Sequence, residues 1–489
     1  WSPSRAYSHY HGGVRILSET ASCKIATPIT IKFDELRPGQ GYDPRKEAAN
    51  FGPVWRGGEW HLRDITNHMT TAAFLLLKHA SQNREHWLRR FYEIGKEAVR
   101  PRKQSDLSGF TVTQSWNSDA LLKVLIRSGV EVLGNPKRSV SNRKREVAST
   151  TIVVPMAQPY GSFAKAILER QHYPNLRNES GLPQAPYDVT AHTLPLLMGV
   201  EVSPTYSALD ANARAVGPRV ADLPFTSDTK LGVYKSHVPS IDEGWTRWSL
   251  EHDTGPIPYW FSDVSGNPVT KFRYTSVADS DLRRGELNTK YNAIVIPDQP
   301  RAAILNGYRS GTMPPEYTGG LGAEGVKTLR AFVTAGGTLV CLNRASDFAI
   351  EQFKLPVRDV VAGLPRAEYY VPGSILRIEL DTSSAIANAM PKESIAWAEN
   401  SPVFEIAEKH AGETPAVPVT NVHIIAWYPK DKDPLLSGWL LGGDRIKGKA
   451  ALVEVTMGKG RIILFGFRPQ YRGQSLATYP LFFNAITSK

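Results

Sequence analysis

Cysteine is almost missing from this sequence: its 489 residues include two, Cys23 and Cys341. They lie far apart in apolar, strand-like settings, so no disulfide framework is expected and both read as buried free thiols. Long hydrophobic runs are missing too. No apolar stretch approaches the roughly 20 residues that a membrane-spanning helix needs, and no membrane span is expected. The chain opens on Trp1-Ser2-Pro3, without an initiator methionine or a charged-then-apolar leader. A fragment is therefore expected, and these residues leave the compartment open. Dense charge of one sign is scarce as well. The formal net charge of +11 arises from 58 basic against 47 acidic residues, scattered along the chain. The one tight basic cluster, Lys137-Arg138 with Arg143-Lys144-Arg145, sits among Ser and Asn without interleaved aromatics. That pattern is a solvated loop rather than a base-stacking surface, and no nucleic-acid partner is expected.

What is present is ordinary for a globular protein, with 41% hydrophobic and 21% charged residues. The length suits about three domains at roughly 150 residues each. The stretch His9 to Ile31, HYHGGVRILSETASCKIATPITI, reads as a short strand Val14 to Leu17 that ends in Ser18-Glu19-Thr20. A second strand-like run follows from Lys24 to Ile31. A carboxylate at the mouth of a buried strand is fixed in place and partly desolvated, as a general base requires. A hydrogen-bonded strand-end carboxylate with no chemistry fits the same pattern. A Gly/Pro-rich loop, Arg37 to Glu59, comes next and contains GQGYDP and NFGPVWRGGEW. From Leu62 the apolar residues Ile65, Met69, Ala72, Leu76 and Ala80, then Trp87, Phe91 and Ile94, recur at helical steps until Pro101. His61, His68, His79 and His86 lie along this region, but no third ligand completes a zinc set.

HYHGGVRILSETAS, the GYDP turn and the WHLRDI helix start together resemble the final part of bacterial zinc carboxypeptidases of the carboxypeptidase A-like family. The members it resembles are the long ones, with extra domains after the peptidase. The resemblance implies the end of a zinc carboxypeptidase-type α/β fold over residues 1–104, with Glu19 at the position of the family's general base. It implies zinc as cofactor, a peptide as substrate, and an extracellular or periplasmic location. In the family a long amphipathic helix after the glutamate strand closes the peptidase fold. The His-x-x-Glu motif and later histidine that bind zinc lie upstream of that glutamate, and no His-x-x-Glu precedes Glu19 here. The ligands are expected to be missing from this chain.

Residues 105–228 read as an intermediate α/β unit. Strands are expected at Phe110 to Thr113, Val130 to Leu133 and Thr151 to Pro155, with helices at Ser118 to Arg127 and Ser162 to Gln171. His192 reads as a satisfied structural histidine. Residues 229–489 show a parallel crossover pattern: strand Asn292 to Pro297, glycine-rich loop Gly319 to Gly325, helix Val326 to Ala335, cap Gly336-Gly337, strand Thr338 to Leu342. A hairpin, Ala450 to Thr456 with Arg461 to Phe467, and a helix from Leu476 to Ile486 close the chain. The arrangement resembles a class I glutamine amidotransferase-like domain. Catalytic members expose a cysteine in a Gly-x-Cys-x-Gly elbow after a central strand and use a histidine base. Here Cys341 lies within the strand, the flanking glycines are absent, and the hairpin after Gly448 has no His-x-Glu pair. A non-catalytic domain is expected. The glycine-rich loop lacks a phosphate-binding lysine and carries Glu324 at the helix start, so it reads as a tight turn.

Two functions are expected from these readings. The first is the C-terminal part of a zinc metallocarboxypeptidase that hydrolyses peptide bonds with Glu19 as general base. The second is an inactive peptidase-like binding or scaffold protein that uses its amidotransferase-like domain. An enzyme built on the amidotransferase-like fold itself is a weaker third.

Overall fold

The computed structural model describes residues 3–20, 26–39, 43–49, 51–115, 117–135, 151–178, 180–209, 214–215, 226–251, 271–407 and 419–488. Cys23 and the basic cluster at 137–145 lie outside these residues. The chain divides into two compact units, Pro3–Glu97 and Ala98–Lys489. The residues assigned above to an intermediate and a C-terminal domain thus fall within one compact unit.

In the unit Pro3–Glu97 the strand Ile29–Lys32 pairs antiparallel with Gly57–Trp60. Helices Leu62–Gln82 and Arg84–Ala98 follow. Helix Leu62–Gln82 starts where Asp64 Oδ2 accepts the His61 backbone N–H at 2.8 Å, satisfying one of the amides a helix start leaves open. The periodicity predicts one run to Pro101, but the helix breaks at Asn83. There the Asn83 backbone N–H (3.0 Å) and side-chain amide (2.9 Å) both donate to the His79 carbonyl, which closes the first helix. The strand expected at Val14 to Leu17 does not form. Val14, Ile16 and Leu17 are exposed in irregular backbone, and no strand among the described residues pairs with them. Neither long helix buries a residue.

The unit Ala98–Lys489 holds two sheets. The smaller one is antiparallel, in the order Val202–Thr205, Gly109–Val112, Thr151–Pro155, Leu133–Asn135, Arg214–Ala215. Helices Ser118–Arg127 and Gly161–Leu168 bury Leu121, Leu122, Leu125, Phe163 and Ile167. The larger sheet is mixed and makes this a mixed α/β architecture. Its parallel half runs Lys271–Val277, Thr226–Tyr234, Ala293–Ile296, Thr338–Leu342, Gly460–Phe465. Antiparallel strands Ala450–Met457, Val419–Trp427, Pro372–Leu380 and Glu393–Glu399 continue it.

The central strands are apolar on both sides because both faces are covered, as parallel sheets require. Val340, Leu342, Ile463 and Phe465 face a core with Tyr479, Phe482 and Phe483 of the helix Tyr479–Thr487. Leu339, Cys341, Ile462 and Leu464 face the opposite core, with Leu329, Phe332 and Val333 of the helix Gly322–Thr334. That helix ends as the glycines predict: Gly336 has φ +116°, and a Cβ on Gly337 would lie 2.4 Å from the Phe332 ring. The loop before it is a tight turn, since a Cβ on Gly307 would lie 1.9 Å from the Gly319 carbonyl oxygen. No helix among the described residues is long and apolar enough to cross a membrane.

Candidate functional site

In open α/β sheets the ligand crevice opens at the carboxyl ends of the strands, where consecutive connections leave in opposite directions. Here Thr226–Tyr234 is that strand: its next partner in sequence, Lys271–Val277, lies on one side and Ala293–Ile296 on the other. The residues just past the carboxyl ends are charged or polar. Asp298 follows Ala293–Ile296, Asn343 and Arg344 follow Thr338–Leu342, and Arg468 follows Gly460–Phe465. Asp242 comes from the first turn of helix Ile241–Glu251, and Glu399 ends its own strand.

These side chains form one ion cluster. Asp298 is fully buried and takes a two-pronged contact from Arg344, Nε to Oδ1 at 2.9 Å and Nη2 to Oδ2 at 2.9 Å. Arg468 Nη2 donates to Asp298 Oδ2 at 2.6 Å, and Asn343 Nδ2 donates to Oδ1 at 3.1 Å. The other edges of Arg468 reach Asp242 Oδ2 at 3.1 Å and Glu399 Oε2 at 3.2 Å. The Arg468 guanidinium also lies over the Trp397 ring, which stacks on Tyr471 at 3.4 Å. Burial opposes ionisation of Asp298, but Arg468 and Arg344 outweigh it and hold the carboxyl below its usual range. Burial prevails for Asp242, pushing it up to about 6 against the pull of Arg468. Asp347, in the first turn of helix Ala345–Phe353, is pushed up to about 7 by burial and by the neighbouring Asp359.

The backbone here makes the sharp strand-to-helix turn of a nucleophile elbow. Asn343 sits at its tip with φ +52°, a left-handed conformation that asparagine tolerates better than most residues. The turn thus exists without the glycines that the sequence reading required, but its tip carries an amide in place of a thiol. Cys341 lies two residues back, fully buried inside the strand as expected, and burial pushes its thiol well up. A thiol held protonated out of solvent's reach is not a nucleophile. Sequence reasoning missed Asp298, Arg344 and Arg468. The available signal was a charged residue two or three positions after each apolar strand, in AIVIPD, LVCLNR and RIILFGFR.

Glu19, the residue singled out from the sequence, is exposed in irregular backbone in the other compact unit. The structure does not bring His61, His68, His79 and His86 together with it into a metal site. Among the described residues no group of three His, Cys, Asp or Glu side chains is arranged to hold a metal ion, so the described side chains do not fit zinc. The histidines pack instead: His68 stacks on Trp60 at 5.8 Å, and His79 and His86 meet Trp87 edge-on at 5.9 and 5.3 Å. His192 is held neutral by burial, at about 4.

No family model matches the chain, and no curated protein matches it. Solved structures do. A ThuA-like protein from Bacteroides uniformis is 11% identical, over 55% of this chain and 95% of its own, with a TM-score of 0.27. PurLQS from Thermotoga maritima is 12% identical, over 52% of this chain and 96% of its own, with a TM-score of 0.29. A β-galactosidase from Bacillus circulans sp. alkalophilus is 14% identical over 52% of this chain, which spans only 31% of that enzyme, with a TM-score of 0.28. Likenesses this distant transfer no activity to this chain.

Proposed function

We propose that this chain is the C-terminal portion of a zinc metallocarboxypeptidase, with Glu19 as general base and the zinc ligands upstream, missing from this chain. The unit Ala98–Lys489 would serve it as a non-catalytic, amidotransferase-like module. The observation that carries the second half is the elbow. Its tip is Asn343, the nearest thiol is sealed in the strand, and the crevice beside it is filled by the Asp298–Arg344–Arg468 cluster. Among the described residues, the charges of Asp298, Arg344 and Arg468 are spent on one another, and the elbow's tip offers no thiol to attack an amide.

The first half is supported by the residues HYHGGVRILSETAS, GYDP and WHLRDI, and by the long helix that begins at Leu62. That helix and the next leave Phe74, Leu77, Leu88 and Tyr92 more than half exposed, at 65–68%. Apolar area of this kind ordinarily lies against further protein, as the closing helix of a peptidase fold does. In this reading Glu19 takes a proton from the attacking water and passes it to the leaving amine.

The test compares two proteins. The 489-residue chain, stripped with chelator and reloaded, should retain no stoichiometric zinc and release no C-terminal amino acid from peptides. The protein expressed from its complete coding sequence should do both. A tightly held zinc in the 489-residue chain, or no hydrolysis by the complete protein, would overturn the proposal.

A further inference from the structure

A cavity of about 450 Å³ lies within the unit Ala98–Lys489 and shares no lining residue with the ion cluster. Helix Leu194–Met198, the loop at Ala389–Pro391 and the hairpin of Pro372–Leu380 with Glu393–Glu399 contribute to its wall. Most of that wall is apolar, with Leu196, Val200, Met390, Ile395, Leu436 and Leu476. The volume falls in the range of small-molecule sites, roughly 300–1,000 Å³. Asn117 Nδ2 fixes one side by donating to the Met198 carbonyl at 2.7 Å. On another side Ala389 has φ +60°, a strained conformation for a residue with a side chain, and such strain gathers at ligand clamps.

The wall carries two cations, Arg170 and Arg377, and two acids, Glu201 and Glu393. Arg377 Nη1 donates to Glu393 Oε2 at 2.6 Å, while its Nε–H is buried with no acceptor. A buried donor without a partner is costly, and the Nε edge of a guanidinium is half of the fork that grips a carboxylate. Glu393 accepts from Arg377 Nη1 and from Lys432 and leaves the Nε edge unmet. Arg170, exposed at the same cavity, has no acidic partner among the described residues.

We propose that this cavity binds a small carboxylate with an apolar body, about the size of an acylated leucine. Its carboxylate lies on Arg377 and Arg170, and its apolar part lies against Leu196, Met390 and Ile395. The proposal goes beyond the peptidase reading and does not depend on it. N-acetyl-leucine is the probe, titrated calorimetrically into the 489-residue chain. Saturable binding with a Kd of about 1 mM or tighter is expected, in line with the affinity usual for a dozen heavy atoms. N-acetyl-leucinamide, which lacks the carboxylate, and acetate, which lacks the apolar body, should each bind at least about tenfold more weakly. Arg377→Gln and Arg170→Gln should each weaken N-acetyl-leucine by about tenfold. Arg170 is exposed, so if Arg377→Gln fails to fold, Arg170→Gln alone decides. Equal binding of the amide, no saturation by about 20 mM, or unchanged affinity in Arg170→Gln would overturn the proposal.

Discussion

Removing the charge of Asp298 would leave Arg468 buried against a neutral amide and Arg344 without its two-pronged partner. Breaking one side of a buried ion pair typically costs about 3–5 kcal/mol, so Asp298→Asn is expected to lower the denaturation free energy by about that amount. A loss under about 1 kcal/mol, the worth of a surface pair, would show that the cluster is not structural. Asp347 works in the opposite direction. Its carboxyl is raised to about 7 by burial and then by Asp359, with Arg301 and Arg344 opposing and Asp298 adding to the rise. A raised acid favours the fold fully below its unfolded value near 3.8, and that contribution is lost as pH rises through about 7. Asp347→Asn should therefore be close to neutral at about pH 3.5, below the unfolded value, and stabilising by about 1–3 kcal/mol at pH 8. Urea titrations of wild type and variant at both pH values would show it, and equal differences at the two would contradict the assignment.

Elements were legible where hydrophobic period and punctuation agreed. The strands at Ala293–Ile296 and Thr338–Leu342, the hairpin Ala450–Met457 with Gly460–Phe465, and the glycine-capped helix Gly322–Thr334 follow the sequence within a few residues. Val14 to Leu17 misled because alternating apolar residues make a strand only beside a neighbour, and none among the described residues pairs there. The break at Asn83 is a local hydrogen-bonding event that helical spacing does not encode. The elbow at Asn343 was missed for a related reason: a left-handed turn was sought through glycine, and asparagine supplied it. The ion cluster was out of reach because it joins Asp242, Asp298, Arg344, Glu399 and Arg468, which are scattered over more than two hundred positions. Cys341 was read correctly from its apolar neighbours. It should resist thiol reagents in the folded chain and react only on unfolding, at a rate that rises with denaturant. Rapid labelling under native conditions would revive a nucleophilic role.

At the scale of the whole molecule, the two compact units divide the proposed work. The unit Ala98–Lys489 has a large mixed sheet covered on both faces, a closed elbow and a separate apolar cavity. The unit Pro3–Glu97 carries Glu19, two long helices with much apolar surface exposed, and no metal site among its described residues. The account stands or falls on whether Glu19 does chemistry. Glu19→Gln keeps the shape and most hydrogen bonds of the side chain while removing its basicity. In the protein expressed from its complete coding sequence, zinc content and melting temperature should stay as in wild type. Peptide hydrolysis should lose about 10²–10⁴-fold in kcat, the usual worth of a general base. Near-normal turnover, or a loss that merely follows unfolding, would contradict the account and leave the chain as a binding protein.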